Sequence, residues 1–273
     1  MQSACEGASR WRAAGGDGLM SSAWVEPALP GSETRRKGKL LVVDDEAAIR
    51  WALRKTLERM SFEISESETA EQAIALVRTI RFDAVLLDIG MPGMNGIEAC
   101  KKIRKLMPML GIVMLSVKNT EEDKIQALDA GADDFITKPF HVGELAARLR
   151  ATVRRVHASQ VDLAAVIGIG EIELDPARRL VKRAGRSIHL TPKEFELLHF
   201  LMAHAGLPLT HARILGAVWG PEYGGELEYL RTFVRQLRKK LGDDAAAPKY
   251  LFTDSQVGYR FRAETDLQAG GRM

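Results

Sequence analysis

Asp44 and Asp45 follow the apolar run Leu40–Val43, and Asp88 closes the run that begins at Ala84. Ser116 follows Ile112–Leu115, and Lys138 follows the short segment Asp134–Thr137. If each run is a strand, each of these side chains stands at a strand's carboxyl end. In a doubly wound parallel sheet such ends share one rim, where ligands bind. Three clustered carboxylates repel one another and need a counter-charge. Oxygen-only donors suit Mg2+, which keeps several of its waters. The ion and Lys138 would also screen the charge met by a carboxylate that attacks a phosphoryl group. Asp88 would be that covalent nucleophile. A lone Asp after a strand is often only a helix N-cap. The Asp-Asp, Asp, Ser and Lys-Pro combination at successive strand ends is what points to chemistry.

The elements that must hold these residues can be read from periodicity. Leu40–Val43, Ala84–Leu87 and Ile112–Leu115 are continuous apolar runs, as expected of strands buried on both faces. A weaker strand covers Phe62–Glu66, and a short one covers Asp134–Thr137. Between them, Ile49, Leu53, Leu57 and Met60 recur at helical spacing, as do apolar residues over Ala70–Ile80, Ile97–Leu106, Ile125–Ala130 and Val142–Val156. Gly131 suits a left-handed cap after the fourth helix. Alternating strands and helices predict an α/β domain with a five-stranded parallel sheet over residues 38–157.

The pattern then changes. After a short linker (158–165), Ile169–Leu190 contains three short strand candidates. Thr191-Pro192-x-Glu194 reads as a helix start, with Thr as N-cap and Pro at the first position. Further helices are expected over Thr210–Val218 and Glu226–Leu241, with a terminal hairpin over Tyr250–Phe261. In the third helix Arg231, Arg235, Arg238, Lys239 and Lys240 occur without an intervening acid. Leu227, Leu230, Val234, Leu237 and Leu241 form an opposing apolar stripe. Such a helix can pack inward and present a basic ridge to a major groove, although a basic helix alone is commonly a solvated face.

Bulk properties fit this division. The 273 residues suggest two domains, and the net charge is only +3. Lys39–His157 balances 18 basic against 18 acidic residues, whereas Val166–Arg262 carries 15 against 11, so the basic excess lies in the second half. Cys5 and Cys100 can form neither a disulfide framework nor a zinc site, which suggests a reducing cytoplasm. No apolar run approaches the roughly 20 residues of a membrane span, and the N-terminus has no apolar signal core. Residues 1–37 read as a disordered extension and 264–273 as a tail.

Several strings carry a family resemblance. Leu41-Val42-Val43-Asp44-Asp45-Glu46, Leu87-Asp88 through Gly96, and Ala130 through Phe140 resemble a response-regulator receiver. Leu190-Thr191-Pro192-x-Glu194-Phe195, Val218-Trp219-Gly220, Tyr229-Leu230-Arg231, Leu237-Arg238-x-Lys240-Leu241 and Gly258-Tyr259-Arg260-Phe261 resemble the winged helix-turn-helix of the OmpR/PhoB class, over residues 166–263. The resemblance implies that Asp88 accepts a phosphoryl group from a sensor histidine kinase. It also implies that Asp45, Asp88 and the Gly90 carbonyl bind Mg2+ directly and Asp44 through water. Lys138 would contact the phosphoryl oxygens, with a cis bond to Pro139. Ser116 would swing toward the phosphoryl group, and Phe135 would be the switch aromatic, where many relatives carry Tyr.

The same resemblance implies a homodimer through a face carrying Lys124, Asp133, Asp134, Glu144 and Arg148, with cross-subunit pairs such as Lys124 with Glu144 and Asp134 with Arg148. On charge alone that surface would read as a solvated face. Arg231, Thr232, Arg235, Arg238, Lys239 and Lys240 would meet promoter DNA, and Arg260 the minor groove. Trp219 would be a core anchor, and 221–225 a loop that meets RNA polymerase. Ser255 and Gln256 stand where many members have Arg and Gly, a departure in the wing. Within the class, Asp123 through Ala130, Gly143 through Arg150 and Val218 through Arg231 are most similar to regulators of a potassium-uptake operon. The competing readings are a Mg2+-dependent phosphatase with an Asp nucleophile and a protein-only adaptor. Ile89 and Gly90 after Asp88 argue against the phosphatase type that needs a second acid there. The basic helix and wing argue against the adaptor. The expectation is signalling rather than a metabolic enzyme.

Overall fold

The computed structural model describes residues 38–117, 120–158, 165–221, 223 and 226–263. The extension 1–37, most of the linker, the tail 264–273 and much of the 221–225 loop lie outside the described residues.

Five apolar strands form the first sheet: β1 (Lys39–Val43), β2 (Glu63–Ser67), β3 (Ala84–Asp88), β4 (Gly111–Ser116) and β5 (Asp134–Thr137). They are parallel in the order β2-β1-β3-β4-β5, so β5 is an edge strand. The helices between them are α1 (Ala47–Arg59), α2 (Ala70–Thr79), α3 (Gly96–Leu106), α4 (Glu121–Asp129) and α5 (Val142–Ala158). Thr69, Asn95 and Thr120 cap α2, α3 and α4 through side-chain oxygens that accept backbone N–H groups. Side chains alternate across the sheet. Leu41, Val43 and Leu87 pack toward α2, α3 and α4, while Leu40, Val42 and Leu86 pack toward Leu53, Leu57, Leu145 and Leu149 of α1 and α5. Both faces are covered, which explains the uninterrupted apolar runs. Gly131 has φ +101°, the positive value expected just beyond α4.

The C-terminal part opens with an antiparallel sheet of four strands, not three: β6 (Ile167–Ile169), β7 (Ile172–Asp175), β8 (Leu180–Arg183) and β9 (Arg186–Ile188). Gly170, at φ +59°, turns the chain between β6 and β7 and divides what reads in sequence as one strand. Then follow α6 (Pro192–Ala203), β10 (Leu209–Thr210), α7 (His211–Val218), α8 (Leu227–Leu241), β11 (Leu251–Asp254) and β12 (Gly258–Phe261). Thr191 and Glu194 form the expected capping box on α6. The last two strands make the hairpin, and β10 adds a third strand beside β12. Trp219 is buried against Phe233, with ring centroids 5.1 Å apart, so it is a core anchor. Lys193 is fully buried. Its ammonium donates to the Val218 carbonyl at 2.7 Å and lies 5.1 Å from the Trp219 ring centroid. A cation thus sits at the C-terminal end of α7, where free carbonyls favour positive charge.

Candidate functional site

The carboxyl ends of β1, β3, β4 and β5 converge as the topology requires. Asp44 leaves β1 buried; one carboxylate oxygen accepts the Glu46 N–H at 3.0 Å and the other accepts Lys138 Nζ at 2.7 Å. Asp88 ends β3. Its Oδ2 accepts the Gly90 N–H at 2.7 Å, and its Oδ1 lies 2.6 Å from Lys138 Nζ. Lys138 is therefore an ammonium bridge between two carboxylates. Burial opposes its charge, but the hydrogen bonds and charges of Asp44 and Asp88 outweigh burial and hold its pKa above the ordinary lysine value. Its backbone N–H donates to the Ser116 carbonyl at 2.6 Å, which joins the ends of β4 and β5, and its bond to Pro139 is cis. Ser116 is buried at the same rim.

Asp45 differs from its neighbour: its side chain is exposed. Arg50 holds this turn by donating to the Asp44 and Asp45 carbonyls at 2.7 and 3.0 Å, a clamp that sequence reading did not anticipate. Among the described residues no three acidic, His or Cys side chains stand close enough to hold a metal. The donor chemistry nonetheless suits a hard divalent cation, because Asp44 and Asp88 offer carboxylate oxygens at one rim. Asp45 would complete the set by turning inward.

The pairs assigned to a dimer face are made inside one chain. Arg148 Nη1 lies 3.1 Å from Asp134 Oδ1, and Arg148 Nη2 lies 2.8 Å from Glu144. Asp133 is buried, pairs with Arg104 at 2.7 Å and accepts the Ile112 N–H at 2.8 Å; the core of the receiver itself claims that carboxylate. Lys124 is half-buried on α4. Phe135 is buried.

On α8, Arg231 and Lys239 are exposed, and Arg231 pairs with Glu228. Thr232 is buried at 4 % exposure, so its side chain is not on the solvent-facing ridge where sequence reading placed it. Arg238 donates to the Leu251 carbonyl at 2.8 Å and to Thr253 Oγ1 at 2.9 Å, which fixes α8 to the hairpin. Lys240 donates to Glu194 at 2.5 Å. Arg260 pairs with Asp254 at 3.0 Å beneath the hairpin turn. Arg235 reaches α4 instead: its Nη2 donates to both Asp129 oxygens, at 2.7 and 2.8 Å. The hairpin turn places Gln256 at φ +66°, a left-handed conformation that favours glycine.

Residues 40–150 match the family model of the response regulator receiver domain, and residues 185–261 match that of the C-terminal domain of transcriptional regulatory proteins. The chain is 40% identical over 222 residues to the KDP operon transcriptional regulatory protein KdpE of Escherichia coli, covering 81% of this chain and 98% of that protein. It is also 40% identical over 224 residues to the transcriptional regulatory protein KdpE of Mycobacterium tuberculosis, covering 82% of this chain and 99% of that protein. A solved structure of a RitR mutant superposes with a TM-score of 0.67 at 24% identity, covering 82% of this chain and 98% of that one; it supports the fold.

Proposed function

The chain belongs to the OmpR/PhoB-type response regulators, and on that premise we propose that its switch is phosphorylation of Asp88 by a sensor histidine kinase. The observation that carries this reading is the Lys138 ammonium held between the Asp44 and Asp88 carboxylates at the sheet's rim. In the transfer, an Asp88 oxygen attacks phosphorus, a P–O bond forms, and the P–N bond to the donor imidazole breaks. Lys138 is already in place to neutralise a phosphoryl oxygen. Asp44, Asp45, Asp88 and the Gly90 carbonyl would hold Mg2+, which supplies further neutralisation when bound. Ser116, at the end of β4, would hydrogen-bond the phosphoryl group. Phe135, one strand away, would transmit the change.

The output is control of transcription. Arg231, Arg235 and Lys239 supply the positive charge of the α8 ridge, and Arg260 that of the hairpin. Phosphate contacts from this set would make affinity salt-dependent. Receiver dimerisation through the Asp134 and Arg148 face, contact with RNA polymerase through 221–225, action in the cytoplasm and a potassium-uptake operon as target complete the reading. The target rests on the names of the relatives. Among the described residues no helix is long and apolar enough to cross a membrane.

The experiment is capture of genomic DNA fragments by purified protein treated with acetyl phosphate and Mg2+, beside Asp88→Asn. Enrichment of a few promoters by the wild type alone supports the reading. Equal enrichment by both proteins removes Asp88 from control.

A further inference from the structure

The switch strand β5 has an open edge, and this chain closes it with its own DNA-binding domain. Phe135 pairs with Met114 of β4, yet its N–H and carbonyl both find partners elsewhere. The N–H donates to Asp134 Oδ1 at 2.8 Å, and the carbonyl accepts the Tyr229 hydroxyl of α8 at 2.8 Å. An exposed edge is a docking template, and here a phenol occupies it. Tyr223, just before α8, donates its hydroxyl to Asp134 Oδ2, and the Arg148 guanidinium lies 4.1 Å from the Tyr223 ring centroid. Asp134, Arg148, Tyr223 and Tyr229 are all buried. Asp134 thus receives Phe135 N–H, Arg148 and Tyr223 together, a polar hub satisfied only when the two domains meet.

The contact continues along α4. Gln236 Nε2 donates to the Leu128 carbonyl at 3.0 Å and to Asp129 Oδ1 at 2.9 Å. Arg235 engages both Asp129 oxygens beside it. Leu128 lies in the last turn of α4, where carbonyls lack helical partners, so α8 side chains cap that helix. Leu128, Ala130, Ala132 and Phe135 belong to the same buried apolar cluster as Tyr223, Tyr229, Phe233 and Leu237.

We propose that the α4–β5 face is the resting docking surface for α8 of the same chain, so that DNA and a second receiver must each displace this intramolecular contact. Asp129 takes the place of a DNA phosphate on Arg235. Asp134 and Arg148 cannot pair across subunits while Tyr223 covers them. The proposal rests on the reading of Asp88 as phosphoacceptor, because movement of Ser116 and Phe135 is what would loosen the Tyr229 bond to the β5 edge.

The test uses the full chain without phosphodonor. Small-angle scattering reports the radius of gyration, and fluorescence anisotropy reports binding to a mixed-sequence 30-base-pair duplex at moderate salt. Asp129→Asn should tighten binding about threefold. Asp129→Asn combined with Tyr223→Phe and Tyr229→Phe, which keeps both rings, should tighten it roughly tenfold or more and enlarge the radius of gyration toward that of the phosphorylated wild type. Glu121→Gln removes the same charge from the far end of α4 and should change neither quantity. If the triple variant matches the unphosphorylated wild type in both, the docking surface is overturned, even where phosphorylation tightens DNA binding. If the triple variant opens but no protein binds the duplex with or without phosphodonor, docking stands and the DNA-binding reading fails.

Discussion

Replacing Lys138 by Met tests the electrostatics of the rim in isolation, because the new side chain keeps the length and loses the charge. Lys138 lies 2.7 Å from Asp44 and 2.6 Å from Asp88, and its side chain is only 13% exposed. Removing one partner from a buried ion pair costs about 3–5 kcal/mol. Here both carboxylates lose the same partner, but the rim borders solvent at Asp45, so water returns part of the loss. A destabilisation of about 3 kcal/mol follows. For a two-domain chain of this size it corresponds to a fall in Tm of roughly 6–12 °C. Mg2+ should reverse much of the fall, because the cation replaces the missing positive charge at the same oxygens. Ligand binding to the folded state adds RT ln(1 + [L]/Kd), so Mg2+ should raise the variant's Tm more than the wild type's. The assay is thermal unfolding by circular dichroism at neutral pH, with EDTA and then with millimolar Mg2+. A variant that melts within about 2 °C of wild type in EDTA, or that gains no more from Mg2+, would refute the view that Lys138 neutralises this pair.

Three further outcomes are expected. Gln256→Gly should stabilise the C-terminal domain by about 0.5–1 kcal/mol in urea unfolding, since the hairpin turn holds Gln256 in a left-handed conformation that costs a side chain about 1–2 kcal/mol and the glycine returns part as chain entropy; a loss of stability would mean that the Gln256 side chain itself contributes. Burial, with the Asp134 charge adding to it, raises the Tyr229 hydroxyl well above the ordinary tyrosine pKa. Its contribution is therefore complete below about pH 10 and is lost as pH climbs from the unfolded value toward the folded one, because the unfolded chain gives up that proton first. Wild type should lose stability more steeply than Tyr229→Phe above about pH 10, and parallel curves would contradict the assignment. Arg231→Ala should lower the slope of log affinity for DNA against log salt by about one; an unchanged slope would take Arg231 off the phosphate backbone.

The receiver pocket was legible because a doubly wound sheet leaves little freedom. Once Leu40–Val43 and Ala84–Leu87 are strands, Asp44 and Asp88 must meet at one rim, and Lys138 must reach them from β5. The α8 stripe of Leu230, Val234 and Leu237 was legible for the same reason: helical period decides which face is inside. Thr232 was misplaced because its neighbours are basic, although it lies beside Phe233 on the buried side. Asp133 was misplaced because an acid after a helix reads as surface, whereas Arg104, 29 residues earlier, is what makes its burial tolerable. The contact between domains was not legible at all. Tyr229 and Phe135 are 94 residues apart, and Arg235 and Asp129 are 106 apart. No local pattern distinguishes a tyrosine that will cover a strand edge from one that fills a core.

Lys193 offers a practical consequence. An amine with no exposed surface cannot be acylated while α6 and α7 remain packed, whereas lysines such as Lys239 stand open. Mass-spectrometric footprinting with an amine-reactive reagent would therefore find Lys193 silent in the folded domain and labelled only in molecules whose helices have come apart. The chain carries its own chemical clock for opening of the DNA-binding domain, and it can be read in mixtures or cell extracts without adding any probe to the protein.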